Sequence, residues 1–391
     1  MYLHDFYSRF TLDESLAEVT GFNPYYLSIE SGLEDKLMVN GARLINLASN
    51  NYLGLAADDR VKKAAVEAVQ KYGASLCGTP IATGYIDLYK RLEGKLSAFV
   101  GLEETMILPS CYQANNGLFS AIAGAQDLII VDRYVHSSLI QGIKAAGCKI
   151  RPFLHNNLEH LEGILQRSTG YRQIFVVTES VFSTEGSVAP FQEIVQLCQK
   201  YNALPVIDDS HGIGVLGKSG RGILEEKGIE GYQGIYTASL GKAIAASGGM
   251  ISGKSALIKH LKYYCPHLVY STALIPAALA GIEAVLDIID TEFGLLKKRL
   301  TSYQQIIYES LLEGGFSVVQ AKTPINSIKS GSKENTFIIT KKLFEKGILT
   351  TPFIEPAVPQ GEGRVRLIAG ANLSEDTIAE AAAVLKEMGR L

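Results

Sequence analysis

Between residues 106 and 237 short apolar runs alternate with helical patterns, and this alternation constrains the fold more than any other feature. Met106–Leu108, Leu128–Val131, Ile174–Val177, Leu204–Ile207 and Ile235–Thr237 are too short for helices and apolar without alternation. Each is therefore expected to be a strand buried on both faces. Helical periodicity falls near Ala114–Ala123, Ser137–Ala146 and Phe191–Tyr201. The pattern predicts an α/β fold whose mostly parallel sheet is covered on both sides. Functional groups should gather at the carboxyl ends of its strands.

The flanks differ. Residues 1–45 mix aromatic and polar groups and read as an N-terminal arm, with Val39–Arg43 a tight Asn-Gly hairpin. A helix after Asp58 or Asp59 has an apolar face at Val61, Ala64, Ala65, Ala68 and Val69 and stops at Gly73; another runs from about Asp87 to Val100. Residues 46–275 make the large domain. From 276 to 391 a smaller α+β domain is expected: a helical region over Pro276–Leu312, strands at Phe316–Gln320, Ile348–Thr351 and Arg364–Ile368, and helices at Thr336–Lys346 and Ser374–Met388.

At 391 residues one core is insufficient, in keeping with that division. A formal net charge of −3 gives no electrostatic case for nucleic acid. Five cysteines, none spaced C-x-x-C, argue against a disulfide framework or zinc cluster and suit a reducing cytoplasm. The first ten residues lack the basic start and apolar core of a signal peptide, and Glu283 and Asp287 interrupt the longest apolar stretch, so no membrane span is expected.

Chemistry is expected around Lys242, in the small-residue run Tyr236–Met250. A lysine enclosed there is poorly hydrated, loses its proton readily and becomes an amine nucleophile. Strand Leu204–Ile207 delivers Asp208, Asp209 and His211 at its carboxyl end. An amine beside a strand-end carboxylate is what a pyridoxal phosphate site requires, the carboxylate keeping the pyridinium nitrogen protonated. Consecutive strand residues face opposite ways, so only one of the two aspartates serves. The stretch Gly212–Ser219 also satisfies G-x-G-x-x-G and the P-loop pattern. Both require a helix to open at Gly217, yet Gly220-Arg221-Gly222 follows, which opposes one.

Other candidates sit after other strands. Ser110–Asn115 opens a helix whose amides suit a phosphate, with Tyr112 alongside. His136 is placed to stack on a planar group; Glu179 and Ser183 read equally as caps. Arg364 and Arg366 alternate on a strand, so one is free to grip a carboxylate.

With these residues in view, the chain resembles the α-oxoamine synthases, fold-type I enzymes that join an amino acid to an acyl-CoA. The matching segments are N-N-Y-L-G-L at 50–55, S-C-Y-Q-A-N at 110–115, D-R-Y-V-H-S-S at 132–138, T-E-S-V-F-S-T-E-G at 178–186, D-D-S-H-G-I-G-V-L-G-K-S-G-R-G at 208–222, S-L-G-K at 239–242, Y-S-T at 270–272 and G-R-V-R at 363–366. The likeness implies a seven-stranded, mostly parallel sheet and pyridoxal phosphate bound to Lys242. It makes Asp208 the pyridinium partner and stacks His136 on the ring, with His211, Ser183 and Glu179 near it. Backbone amides of Cys111 and Tyr112 would hold the phosphate with Ser239, helped by Ser271 or Thr272 of a second copy in an obligate homodimer. Asn50 and Arg366 would meet the amino-acid substrate.

The reaction so implied is a decarboxylative condensation with an acyl thioester, on coenzyme A or a carrier protein, in which Lys242 takes the Cα proton and an aminoketone results. T-E-S-V-F-S and H-L-V-Y-S-T lean toward the members using alanine and a pimeloyl thioester, S-C-Y-Q-A-N-N-G-L-F toward those using glycine and acetyl-CoA; long-chain members come third. The chain departs from the family pattern at 74–84, at Tyr89 in place of a histidine and at Asn372 in place of another, positions expected to lie along the acyl chain. A nucleotide-binding P-loop protein and a catalytically silent scaffold of the same fold are the rival readings.

Overall fold

The computed structural model describes residues 6–10, 18, 20–320 and 322–388. A hairpin of β1 (Lys36–Val39) and β2 (Ala42–Asn46) comes first. Its turn carries positive φ at Asn40 and Gly41, as the Asn-Gly pair predicts. Helix α1 (Asp59–Tyr72) is capped by the Asp58 side chain and ends at Gly73, whose φ is 86°. Helix α2 spans Asp87–Val100.

The alternating region then follows in chain order: β3 (Glu104–Leu108), α3 (Cys111–Ile122), β4 (Leu128–Asp132), α4 (Ser137–Ala145), β5 (Lys149–Phe153), α5 (Leu158–Gln166), β6 (Ile174–Glu179), α6 (Phe191–Lys200), β7 (Leu204–Asp208), α7 (Ile223–Glu226), β8 (Ile235–Ser239) and β9 (Gly249–Gly253). These strands form one seven-stranded sheet in the order β3-β9-β8-β7-β6-β4-β5. All pairings are parallel except those of β9, which runs antiparallel to β3 and β8. Every strand expected between residues 106 and 237 is present. Two were missed: β5 has the charged, partly exposed sequence K-I-R-P-F, and β9 is G-M-I-S-G, where glycines hide the pattern.

After α8 (Ser255–Tyr264) and α9 (Pro266–Val269), the 38-residue helix α10 (Pro276–Glu313) packs first on α1 and then on the final helix. Strand β10 (Ile325–Gly331), helix α11 (Lys333–Glu345), strands β11 (Ile348–Leu349), β12 (Thr351–Phe353) and β13 (Gly363–Ile368), and helix α12 (Glu375–Met388) complete the chain. The expected strand at Phe316–Gln320 is only an isolated bridge, Val318 to Ile328. The single strand read at Ile348–Thr351 is two: β11 pairs with β2, whereas β12 joins β13 and β10. Thr350 lies between them, and the chain changes sheets there.

The largest core lies around the seven-stranded sheet, and a second cluster joins Ile45 and Leu47 to Tyr303, Ile307, Val365 and Leu385. Among the described residues no helix is long and apolar enough to cross a membrane, and no group of His, Cys, Asp and Glu could hold a metal ion.

Candidate active site

Because β4, β6, β7 and β8 are mutually parallel, their carboxyl ends fall along one edge of the sheet. That edge presents Asp132, Glu179, Asp208 and Ser239. Two cavities meet there. The inner one, about 440 Å³, is bounded by Cys111 and Tyr112 at the start of α3, by Glu179, Asp208 and Ser239, and by the 246–248 turn. The outer one, about 730 Å³, is walled by Asn50, Ser183, Arg366 and the 356–359 loop. Lys242, His136 and His211 line both.

The Lys242 amine has no hydrogen-bond or ion-pair partner among the described residues. Burial lowers its pKa, opposed by the field of Asp208, Cys111 and Glu179 and aided by Arg366. Asp208 is held by two donors: Asn115 Nδ2 reaches Oδ2 at 2.7 Å and the Ser210 amide reaches Oδ1 at 2.9 Å. Asn115 in turn accepts from Thr237 at 2.8 Å and donates to Ser138 Oγ at 2.9 Å, while Ser138 Oγ lies 2.8 Å from His136 Nδ1. One asparagine therefore fixes both the carboxylate and, through Ser138, the His136 ring. His136 is exposed to the cavity, and desolvation lowers its pKa. Glu179 accepts from the His136 amide; full burial, with Asp208 nearby, raises its carboxyl well above the usual range.

His211 is 5% exposed, with its Nδ1 2.7 Å from the Tyr52 hydroxyl. Desolvation first, then the charges of Lys242 and Arg366, hold it well below the ordinary histidine pKa. Arg366 is also buried; it lies over Phe353 at 4.9 Å and donates from Nη1 to the Ser183 carbonyl at 2.9 Å. Its Nε has no partner, and neither does the Asn50 Oδ1 on the same wall. Cys111 Sγ sits 3.3 Å from Ser210 Oγ, whose other contact is the Ser239 amide at 2.9 Å. Gly249 is required here, since a Cβ would lie 2.4 Å from the Cys111 amide nitrogen.

The residues expected to act together are thus brought together, with two exceptions. Ser183 lines the outer cavity only. Ser271 and Thr272 line neither; Ser271 instead accepts from Gln113 at 3.1 Å. Sequence reasoning missed Tyr52, Asn115, Ser138 and Ser210, although each lies inside a motif already singled out. Their roles depend on which strand end faces which, and spacing does not show that.

The P-loop reading fails because the amides it needs are occupied: Gly217 donates to Glu226 at 2.8 Å, and Ser219 and Arg221 donate to the Glu225 carboxylate. Only the four-residue α7 follows. Tyr89 lines neither cavity; it is 1% exposed, and its hydroxyl accepts from the Leu274 amide at 2.5 Å. Asn372 likewise lines neither cavity and packs against Gly54.

The inner cavity fits pyridoxal phosphate. It offers an unpartnered amine, a carboxylate already positioned by two donors, an imidazole at its wall and the first turn of a 12-residue helix.

The chain is similar to known proteins over nearly its whole length. It is 34% identical over 362 residues to an 8-amino-7-oxononanoate synthase of Alkaliphilus oremlandii, covering 92% of this chain and 91% of the relative. A relative of the same name from Treponema denticola is 35% identical over 367 residues, covering 93% and 92%. Among solved structures, a Sphingomonas wittichii serine palmitoyltransferase superposes with a TM-score of 0.94 at 26% identity, covering 100% of this chain and 98% of that one. An 8-amino-7-oxononanoate synthase from Francisella tularensis gives 0.75 at 26% identity, covering 88% and 97%. The family model for aminotransferase class I and II matches residues 42–385, and the chain belongs to that family.

Proposed function

We propose that this chain is a pyridoxal phosphate-dependent C-acyltransferase that condenses a small amino acid with an acyl thioester, with loss of carbon dioxide, to give an aminoketone. The reading is of the 8-amino-7-oxononanoate synthase kind, and the names of the relatives support it. One observation carries it: an unpartnered, partly enclosed Lys242 amine stands in the wall common to two cavities, one suited to the cofactor and the other open to substrates.

When bound, the cofactor supplies an electron sink for the pair left on Cα. Lys242 would hold it covalently. Asp208, held by Asn115 and Ser210, would meet the ring nitrogen; His136 would cover the ring, and the first turn of α3 at Cys111 and Tyr112, with Ser239, would hold the phosphate. His211 and Glu179 complete the inner wall. In the outer cavity Arg366 holds the substrate carboxylate through its free Nε edge, beside Asn50. Ser183 fixes that guanidinium through its carbonyl. With the carboxylate anchored, Lys242 is placed to take the Cα proton and later to return one.

The inner cavity opens toward Tyr112, which is 49% exposed, and Tyr263, Tyr264 and Tyr270 are also exposed. A second copy covering this face would bring its own Ser271 or Thr272 to the phosphate, so the active unit is a homodimer. We place the protein in the cytoplasm.

Borohydride treatment of the loaded protein followed by peptide mass spectrometry should find the cofactor on Lys242; attachment at any other lysine would overturn the assignment. A thiol-release assay across glycine, alanine and serine, with acetyl, pimeloyl and palmitoyl thioesters, should show preference for alanine with the pimeloyl donor. The superposition on serine palmitoyltransferase favours a second reading, a long-chain acyl donor with serine. Glycine with acetyl-CoA would identify a glycine C-acetyltransferase.

A further inference from the structure

Tyr52 lies in a loop far in sequence from the strand ends, yet its hydroxyl is 2.7 Å from His211 Nδ1. We propose that Tyr52 is a positioning residue: its hydroxyl donates to Nδ1 and so fixes His211 as the tautomer carrying its proton on Nε2. A single N–H is then presented at the wall shared by the two cavities.

The direction of this hydrogen bond follows from what else the two groups can reach. Tyr52 is 1% exposed, and His211 Nδ1 is the one partner of its hydroxyl among the described residues. If Nδ1 carried the proton, the phenolic hydrogen would be buried with no acceptor, at a cost of about 1–3 kcal/mol. If the phenol donates, neither atom is left wanting. A doubly protonated ring is opposed by burial and by the neighbouring Lys242, Arg366 and His136, which keep His211 neutral. The phenol, for its part, stays protonated because burial pushes its pKa up. His211 Nε2 has no partner among the described residues, and the residue lines both cavities. Its N–H is therefore free to donate to an acceptor bound there.

The backbone holds the tyrosine in place. Tyr52 N donates to the Asn50 carbonyl at 2.9 Å, and the Tyr52 carbonyl accepts from Ala371 at 2.8 Å. The ring meets the imidazole edge to face, with centroids 6.1 Å apart and planes at 74°.

The tautomer itself does not depend on the proposed reaction; only its use in catalysis rests on that reading. Nitrogen NMR of histidine-labelled, cofactor-free protein tests it, with the His211 signals identified by their loss in His211→Gln. The expected result is Nδ1 unprotonated and Nε2 protonated. Tyr52→Phe should abolish that preference and give a mixture of tautomers, lower turnover about tenfold, and leave cofactor attachment to Lys242 intact. A wild-type His211 with its proton on Nδ1, or on both nitrogens, would overturn the proposal. So would a Tyr52→Phe protein with an unaltered tautomer. Should the variant fail to fold, the wild-type spectrum alone decides.

Discussion

Two polar centres lie along the same sheet edge, and they are built on opposite rules. Around His155 every charge is matched. Its Nδ1 is 3.0 Å from Asp132, and its Nε2 is 3.1 Å from Glu185 and 3.0 Å from Ser187. Tyr134 lies against the ring at 4.8 Å, and Phe182 meets it edge-on at 4.3 Å. Burial alone would lower the His155 pKa, yet the hydrogen bonds to Asp132 and Glu185 push it up to about 9. Around Lys242 matching is incomplete: the amine is unpaired, Arg366 keeps an idle Nε, Glu179 is pushed up and His211 down. Full pairing makes a buried charged cluster a structural joint. Incomplete pairing keeps groups close to giving or taking a proton, and a reacting site needs that.

The sharpest way to break this comparison is Lys242→Met. If the amine is both nucleophile and base, turnover should fall by at least about a thousandfold, since a positioned general base alone contributes 10²–10⁴. The cofactor-free fold should lose nothing, and its Tm should hold or rise, because the change removes a poorly hydrated amine with no partner. Calorimetry and thiol release on the same preparation measure both. A variant that keeps its turnover, or unfolds markedly earlier than wild type, would erase the distinction between the two centres.

The next prediction separates neighbours. Asp208 faces the inner cavity, while Asp209 points the other way into the 212–222 loop, as strand geometry requires. Asp209 Oδ2 accepts from the Ile223 amide at 2.9 Å and from Tyr236 at 2.8 Å. Burial raises its carboxyl to about 7, against the pull of the hydrogen bonds from Ile223 and Tyr236. Asp209→Ala would leave two buried donors without an acceptor, an expected loss of roughly 2–4 kcal/mol in urea unfolding. Asp208→Asn should cost chiefly activity, with a smaller loss of stability than Asp209→Ala, since one of its two donors keeps an acceptor oxygen. The reverse assignment of effects would show that the wrong aspartate was given the ring nitrogen.

Much of this was legible in the sequence because it depends on local patterns. Continuous apolar runs of four or five residues marked the buried strands, and the Asn-Gly turn marked the first hairpin. Lys242, Asp208, His136, His211, Arg366 and Asn50 all line the cavities where chemistry was expected. What local pattern does not carry is pairing. Strand β9 escaped because glycines replace its apolar residues, and one of them, Gly249, is there to admit the Cys111 backbone. Asn115 and Ser138 were quoted within motifs, but their joint hold on Asp208 and His136 exists only once α3 and α4 pack side by side. The P-loop match failed for the same reason, its amides being taken by Glu225 and Glu226 on the element that follows.

The smallest expected effect is in the matched centre, and its pH dependence gives the prediction its sign. His155 has a folded pKa of about 9, above the ordinary value of 6.5. The folded protein therefore holds this proton more tightly than the unfolded chain does. Its contribution to stability is complete below pH about 6.5 and is lost as pH rises through about 9. His155→Gln should accordingly be less stable than wild type by about 2 kcal/mol near pH 6, where a charged donor is lost from two carboxylates. The gap should narrow to under about 1 kcal/mol near pH 10, where only neutral hydrogen bonds remain to be compared. Urea midpoints at the two pH values measure it, and activity is not needed. A gap that stayed constant would mean that His155 is neutral throughout. A gap that widened with pH would mean that the two carboxylates do not hold its proton, and the contrast with the Lys242 centre would reduce to a difference in depth.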